Sequence, residues 1–192
     1  QSSDEDESKS GVNVVKKFYH KYDGFGFFRG KYKHIFTARV TDPADLQEVT
    51  QLTSGANNYF SPAWSPDGES IACAVMREDN LEKGVFKHDI QLYDLSNDGG
   101  RTIMKGHGPI KSLTWSPDGR FMAYIGHQNQ YGRATTDGIW LVPIGCNESD
   151  YPLTYKDVVG VTEELDRPVG VPIDSDISYC CQKTIPISWA ED

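Results

Sequence analysis

One segment occurs twice in this chain, first as Ser61-Pro62-Ala63-Trp64-Ser65-Pro66-Asp67-Gly68 and, 51 residues later, as Ser112-Leu113-Thr114-Trp115-Ser116-Pro117-Asp118-Gly119. Each copy is followed by an apolar run of strand type and then by a second such run. A third copy begins at Ile187-Ser188-Trp189, 74 residues after Trp115, so the second interval contains an insertion. An internal repeat at this period indicates a fold built from repeated supersecondary units.

The Ser-Pro-Asp-Gly step inside each copy has the composition of a tight hairpin turn. Proline presets φ, aspartate accepts hydrogen bonds from nearby backbone N–H groups, and glycine takes the position with positive φ. A tryptophan ends the strand ahead of each turn and is large enough to anchor packing between neighbouring sheets. The residues to which we assign this structural repeat role are Trp64, Pro66, Asp67, Gly68, Trp115, Pro117, Asp118, Gly119 and Trp189.

Short strands dominate the rest of the chain. Runs with partial apolar alternation, separated by Gly, Pro, Asp and Asn, are typical of half-buried antiparallel strands. The predicted strands are Lys33–Val40, Glu48–Leu52, Tyr59–Trp64, Ser70–Val75, Asp89–Leu95, Arg101–Met104, Ile110–Trp115, Phe121–Gly126, Gly138–Ile144 and Ile185–Trp189. Repeats of about 40 to 50 residues with four short strands each are typical of propeller blades. The sequence therefore predicts an all-β partial β-propeller of four-stranded antiparallel blades, about three of them in an incomplete ring.

The remaining segments set the domain boundaries. Residues 1–11 are acidic and serine-rich, which predicts a solvated tail or loop, and residues 12–192 form the partial propeller. The pattern of Val12–Tyr22 fits a helical stripe and a strand equally well, so the residues alone leave this segment open. The insertion Val158–Lys183 carries many acidic residues, and we expect a solvated loop there.

Composition excludes several classes of function. The chain has 19 Lys and Arg against 28 Asp and Glu, a net charge of -9, which argues against a nucleic-acid partner. Its apolar runs are far shorter than the roughly 20 residues that a membrane-spanning helix needs, so we expect no membrane association. The four cysteines show no CxxC pair and no disulfide framework, which favours reduced thiols and a cytoplasmic protein.

No residue pattern for catalysis, cofactor binding or metal binding is present. The five histidines have neither HxH nor HExxH spacing, and we expect them to lie in strand packing or on the surface. Gly106-His107-Gly108 resembles the Gly-His pair of WD-repeat blades, and this resemblance implies that His107 ties neighbouring strands together. We therefore predict no catalytic residue, no cofactor and no metal in this chain.

Several motifs in order resemble one family. The Trp-Ser-Pro-Asp-Gly units are similar to the propeller repeats of TolB-like proteins and of prolyl oligopeptidase family serine peptidases. The order of Phe18–Phe27, Lys33-His34-Ile35-Phe36, Gln51-Leu52-Thr53 and Ser61-Pro62-Ala63-Trp64 resembles the propeller of acylaminoacyl-peptidase-like enzymes, in which a Tyr-x-x-Asp-Gly-x-Gly stretch precedes a His-Ile-Phe strand and a Gln-Leu-Thr strand. This resemblance spans roughly residues 12–192, and it favours a strand for Val12–Tyr22.

The resemblance implies a non-catalytic role for this chain. In the family, catalysis resides in a C-terminal α/β-hydrolase domain with a Gly-x-Ser-x-Gly nucleophile motif, and no serine here has that setting. The expected partners are that hydrolase domain and the short peptide substrates that the propeller admits as a steric filter. The alternative is a TolB-like or WD-repeat module for protein–protein interaction. Because an incomplete ring leaves sheet edges open, we also expect self-association.

Overall fold

The structure is a computed structural model that describes residues 15, 20–22, 26–27, 30–42, 45–77, 79, 86–96, 99–145, 150–165, 167–170 and 187–190. Within these residues the regular secondary structure consists of antiparallel strands and one short 3-10 helix, Gly132–Ala134. The strands are β1 (Lys21–Tyr22), β2 (Gly26–Phe27), β3 (Phe36–Asp42), β4 (Asp45–Gln51), β5 (Asn57–Trp64), β6 (Ser70–Arg77), β7 (His88–Asp94), β8 (Gly100–Met104), β9 (Ile110–Trp115), β10 (Phe121–Gly126), β11 (Gly138–Pro143) and β12 (Val159–Gly160).

The strands form two four-stranded sheets and two hairpins. Sheet I has the order β5-β6-β7-β8 and sheet II the order β9-β10-β11-β12, so each is a meander of consecutive antiparallel neighbours. Strands β1 and β2 pair with each other, as do β3 and β4. The predicted all-β architecture with four-stranded antiparallel sheets is confirmed, and it is the architecture of a partial propeller.

The observed strands agree with nine of the ten predicted ones to within three residues at either end. The tenth predicted strand, Ile185–Trp189, is wrong for its described residues. Residues 187–190 are not in a strand, and none of the described strands pairs with them. A strand needs a neighbour for its backbone hydrogen bonds. In Val12–Tyr22 only Lys21–Tyr22 is described as strand, and most of that segment, like the tail 1–11, lies outside the described residues.

The insertion Val158–Lys183 departs from the prediction of a solvated loop only at its start, since most of its other described residues are exposed, and residues 166 and 171–183 lie outside the described residues. Val158 is buried, and Val159–Gly160 forms β12, which pairs with Trp140 and Leu141 of β11. The N–H of Val161 continues this pairing by donating to the carbonyl of Ile139 at 2.8 Å. The sequence shows no signal for this strand, because an edge strand of two residues is too short to produce an alternating pattern.

Strand β6 is buried on both faces of sheet I, as expected for a strand in a sheet that is covered on both sides. Its residues Ile71–Met76 are all buried, which explains the unbroken apolar run in the sequence. Ala72 and Ala74 face sheet II and join the larger core, whose other members include Ile90, Leu92, Leu113, Met122, Tyr124 and Val142. On the opposite face Cys73 and Val75 pack with Tyr59, Tyr93 and Ile35.

The outer edge of sheet I is covered by the connection that follows β11. The N–H of Leu153 donates to the carbonyl of Ile103, and the N–H of Lys105 donates to the carbonyl of Leu153, both at 2.9 Å. Leu153 is buried and forms a parallel bridge to Met104. Because these bonds use the carbonyl of Ile103 and the N–H of Lys105, the end of β8 cannot pair with another strand at this point.

Candidate functional site

The two repeat turns have the same hydrogen-bond geometry. In the first, the N–H of Gly68 donates to the carbonyl of Ser65 at 2.9 Å, and Gly68 has a φ of 75°. The carboxylate of Asp67 accepts from the Ser65 hydroxyl at 2.5 Å and from the N–H of Glu69 at 2.9 Å. Pro66 is exposed at the tip. This is the turn that the residue types predict, and the Ser65 hydroxyl and the Asp67 carboxylate both form hydrogen bonds within it.

The second turn repeats this arrangement around Asp118. Its carboxylate accepts from the Ser116 hydroxyl at 2.6 Å and from the N–H of Arg120 at 3.0 Å. Gly119 has a φ of 71°, its N–H donates to Ser116 at 3.0 Å, and Pro117 is exposed. The same two kinds of hydrogen bond, from the serine hydroxyl and from the following N–H, lower the pKa of both aspartates.

The serine that begins each turn has a structural role that the sequence analysis did not predict. Ser65 and Ser116 are buried, and each hydroxyl accepts from the N–H that begins the next strand, Ser70 or Phe121, at 2.9 Å. Each hydroxyl also donates to the turn aspartate, so it links the two strands to the turn. The available signal was that both copies place serine directly before the proline.

The tryptophans of the repeat do not share one environment. Trp115 is half-buried, and its indole N–H donates to the carbonyl of Ala63 in sheet I at 3.2 Å. Trp64 occupies the same place in β5 but is 55% exposed, so the expected packing between sheets is not found for it among the described residues. Trp189 has a buried indole nitrogen that has no hydrogen-bond partner within the described part of the chain.

Sheets I and II meet along their first strands, β5 and β9, and we call this contact the seam. Besides the Trp115–Ala63 bond, the Ser61 hydroxyl donates to the carbonyl of Lys111 at 3.2 Å. Contact through the first strands is the way neighbouring blades of a propeller meet around its axis. Two side-chain-to-backbone hydrogen bonds therefore join β5 and β9 across the seam.

His88 links the two sheets, whereas among the described residues the His107 ring contacts Tyr155 and no strand of either sheet. The Nδ1 atom of His88 lies 3.0 Å from the backbone nitrogen and 3.1 Å from the carbonyl oxygen of Ile110. The His88 ring is buried, stacks on Phe60 at 5.3 Å between centroids, and its Nε2 has no partner among the described residues. His107 is exposed, and its ring contacts Tyr155 edge-on at 4.2 Å. The expectation that His107 ties strands together was wrong, because the tie is formed by His88.

The glycines beside His107 are required by close backbone contact. A Cβ atom at Gly106 would lie 1.9 Å from the carbonyl oxygen of His88, and one at Gly108 would lie 1.9 Å from that of His127. No side chain fits at such distances. The two glycines of the triplet are thus required where the connection from β8 to β9 passes close to the backbone of His88 and of His127, and not by chemistry at the histidine.

Two ion pairs lie at the same end of the sheets, near the starts of β7 and β11. Arg77 Nε contacts Asp89 at 2.8 Å, and Lys111 Nζ contacts Asp137 at 2.6 Å. In each pair the carboxylate is nearly buried and the cation half exposed. Within the described residues no three His, Cys, Asp or Glu side chains converge as they would around a metal ion.

The reactive side-chain types are in environments that suppress reactivity. Burial lowers the pKa of His88 to about 4, against the opposing effect of its bond to Ile110, so the ring is neutral at pH 7. Cys73 is a buried free thiol whose pKa is raised by burial to about 12, which leaves no thiolate for nucleophilic attack. The other three cysteines lie outside the described residues.

The motif residues His34-Ile35-Phe36 and Gln51-Leu52-Thr53 lie side by side. Phe36 pairs with Gln51 in the β3–β4 hairpin, and the N–H of Leu52 donates to the carbonyl of Ile35 at 2.9 Å. The buried Thr53 hydroxyl accepts from the N–H of Ile35 at 2.9 Å. Two motifs that are 15 residues or more apart in sequence thus form one unit.

Comparison with known proteins finds partial similarity to propellers. No protein-family model matches the chain. The Tol-Pal system protein TolB of Alcanivorax borkumensis is 34% identical over 82 residues, which are 40% of this chain and 18% of that protein. The chain thus spans less than a fifth of this curated relative. No helix among the described residues is long and apolar enough to cross a membrane.

Two solved structures are similar at low identity. TolB from Acinetobacter baumannii has a TM-score of 0.43 and 20% identity, covering 65% of this chain and 25% of its own. The β-propeller domain of the trilobed protease from Pyrococcus furiosus has a TM-score of 0.34 and 21% identity, covering 50% of this chain and 26% of its own.

Proposed function

We propose that this chain is a non-catalytic propeller segment of a serine peptidase similar to the acylaminoacyl peptidases. In this role the stacked sheets cover the active site of an α/β-hydrolase domain and admit short peptides, while folded proteins are excluded by size. The observation that carries the proposal is the unit formed by His34-Ile35-Phe36 and Gln51-Leu52-Thr53, since the block with peptidase resemblance is a packed part of the propeller.

The contacts of that unit support a structural rather than a catalytic use of its polar groups. The Thr53 hydroxyl lies 3.3 Å from Nδ1 of His34 and also accepts from the N–H of Ile35. Ile35 in turn packs against Tyr59, Cys73 and Val75 of sheet I. The packing of Ile35 joins the segment that carries the β3–β4 hairpin to sheet I, which gives a filter the rigidity that discrimination by size requires.

The polar groups of the two repeat turns and of His88 support the same role. His88, the turn serines and the turn aspartates all bond to backbone groups of the chain itself. In the proposed parent protein, acyl transfer would take place at a serine of the hydrolase domain. This segment would limit the access of substrates to that serine and would exclude water from the active site. A cytoplasmic location belongs to the same proposal and agrees with the free thiol of Cys73.

The first experiment tests for the nucleophile. The intact protein that carries this segment is treated with a fluorophosphonate probe, which forms a covalent bond with activated serines. We expect labelling of a single serine outside the present chain. An intact protein that takes up no probe would overturn the proposal.

A second experiment tests the filter. In the intact protein, Trp115→Ala removes the indole that bonds to Ala63 and loosens the seam. We expect faster cleavage of long and protein substrates with little change for an acylated dipeptide. Tyr131→Ala, at a side chain that is 71% exposed, is the control. An equal change for all substrate lengths would count against a size filter.

The second candidate is a protein-interaction module of the TolB-like kind, and the 34% identity to a TolB over 82 residues favours it. In that case the intact protein would take up no fluorophosphonate and would retain a specific protein partner at fixed stoichiometry through washing in salt. A peptidase propeller predicts neither result. The two experiments together therefore separate the candidates.

A further inference from the structure

The connection between the third and fourth strands differs in length between the two sheets. In sheet I it has five residues, 95–99, between β7 and β8, whereas in sheet II it has 15 residues, 144–158, between β11 and β12. The longer connection leaves sheet II, bonds to the outer strand β8 of sheet I and returns to form β12. We call its residues 150–158 the strap. Because a short turn is enough to join antiparallel neighbours, the added length is used for contact with the neighbouring sheet.

The strap is attached to sheet I by backbone hydrogen bonds and by burial. Leu153 bonds to Ile103 and to Lys105, on either side of its bridge to Met104. Its side chain is buried in the larger core, which contains residues of both sheets. Val158, at the other end of the strap, is buried in the same core. The strap therefore has a buried apolar side chain at two points along its length.

Two aromatic side chains of the strap add contacts with β8 and with the connection that follows it. The guanidinium of Arg101 lies 5.5 Å from the centre of the Tyr151 ring, and the Tyr155 ring contacts His107 edge-on at 4.2 Å between centroids. Contacts of a cation with an aromatic ring are weak at exposed sites. These contacts orient the strap, whereas its two buried side chains supply most of the attachment.

With the strap in place, the two sheets are joined at both margins. At the inner margin the seam joins β5 to β9 through the bond from Trp115 to Ala63. Between the margins His88 joins β7 to β9, and at the outer margin the strap joins sheet II to β8. Opening two packed layers about a hinge requires one margin to separate while the other bends. In this arrangement each margin is held by hydrogen bonds.

We propose that the strap locks sheets I and II into one unit and closes the boundary between them to peptides. The substrates of the proposed peptidase then reach the active site by a route other than this boundary. The lock is inferred from the contacts of the described residues, whereas the statement about substrates rests on the proposed function. The strap would thus maintain the size filter at its outer margin.

Amide hydrogen exchange of the full chain, measured residue by residue with NMR, tests the lock. The N–H of Lys105 donates to Leu153 of the strap, and the N–H of Ile110 donates to His88 between the margins. If the sheets open as one unit, both amides exchange at rates within about tenfold of each other after correction for intrinsic rates. A larger excess at Lys105 would show that the strap detaches while the sheets stay packed, and this would overturn the lock.

A reversible disulfide tests the statement about substrates. Met104 and Leu153 are paired in the parallel bridge, so the intact protein with Met104→Cys and Leu153→Cys is locked by oxidation and released by reduction. We expect both forms to cleave an acylated dipeptide at rates within about twofold of each other, because the boundary does not open in turnover. A larger fall on oxidation that recovers on reduction would overturn the proposal. Met104→Cys alone, treated in the same way, controls for oxidation elsewhere.

The lock and the proposed function fail separately in these experiments. An intact protein that takes up no fluorophosphonate overturns the peptidase role and, with it, the statement about substrates. The exchange rates of Lys105 and Ile110 in the wild-type chain still decide whether the lock exists, and they require no variant that has to fold. Circular dichroism of the reduced double variant checks that its fold is retained before its activity is compared.

Discussion

Nδ1 of His88 lies within 3.1 Å of both the backbone nitrogen and the carbonyl oxygen of Ile110, so one neutral imidazole joins the third strand of sheet I to the first strand of sheet II. Either neutral tautomer makes one of these two bonds. The ring also stacks on Phe60 and lies within the apolar layer between the sheets. A charged imidazolium is unfavourable there, because its Nε2 has no partner among the described residues.

The stability of the chain should therefore fall with acidification between pH 6.5 and about 4. The pKa of His88 is about 4 when folded and 6.5 in the unfolded chain, so the unfolded state binds more protons in this range and is favoured as the pH falls. Linkage gives a loss of about 2 kcal/mol at pH 5 relative to pH 7. Urea unfolding at the two pH values measures it.

The matched variants for this prediction are His88→Gln and His107→Gln. His88→Gln should lower stability at pH 7 and remove most of the dependence on pH in this range. His107→Gln, at an exposed ring, should preserve the larger part of that dependence. An unchanged pH dependence in His88→Gln would show that another group is responsible.

The turn serine should be more important for stability than its small size suggests. Ser116→Ala removes the acceptor of the Phe121 N–H and the donor to Asp118, and it leaves polar groups unpaired at a buried site. We expect a loss of about 1–2 kcal/mol in the free energy of unfolding. Ser96→Ala, which removes a comparable hydroxyl bond to Asp94 at an exposed turn, is the control and should change stability by much less. Equal losses would contradict the assignment.

Gly106→Ala should destabilise the chain strongly. The added Cβ would lie 1.9 Å from the carbonyl oxygen of His88, which is backbone and cannot move without shifting β7. We expect a loss of about 3 kcal/mol or more, at the upper end for overpacked sites. Lys105→Ala, next to it and exposed, should be nearly neutral in the same thermal melt. A stable Gly106→Ala variant would show that the connection after β8 does not pass the backbone of His88 this closely.

The two equivalent tryptophans should respond differently to the same change. Trp115→Phe removes the bond to Ala63 and part of a packed ring, so we expect a loss of about 1–2 kcal/mol in the isolated monomer. Trp64→Phe alters an exposed side chain and should change monomer stability by less than about 0.5 kcal/mol. Chemical unfolding at low concentration measures both. Equal effects would mean that Trp64 is packed within the monomer.

Local sequence patterns were enough to predict the strands and the turns. The Ser-Pro-Asp-Gly turns depend on hydrogen bonds over at most five residues, and the strands β5 to β11 follow from apolar runs between such turns. These features are determined by residues that are close in sequence, so the sequence by itself specifies them. The same holds for the antiparallel order, because short connections join consecutive strands.

Tertiary structure decided which of several similar residues forms the contacts between the sheets. Nothing local distinguishes Trp64 from Trp115, but only Trp115 has a described sheet at the position that receives the indole. His88 rather than His107 joins the sheets because the crossing of β7 and β9 brings His88 to Ile110, 22 residues along the chain. The cover of β8 by Leu153 likewise depends on pairing between segments that are distant in sequence. Such partners are set by the stacking of the sheets, and no pattern within one segment contains that information.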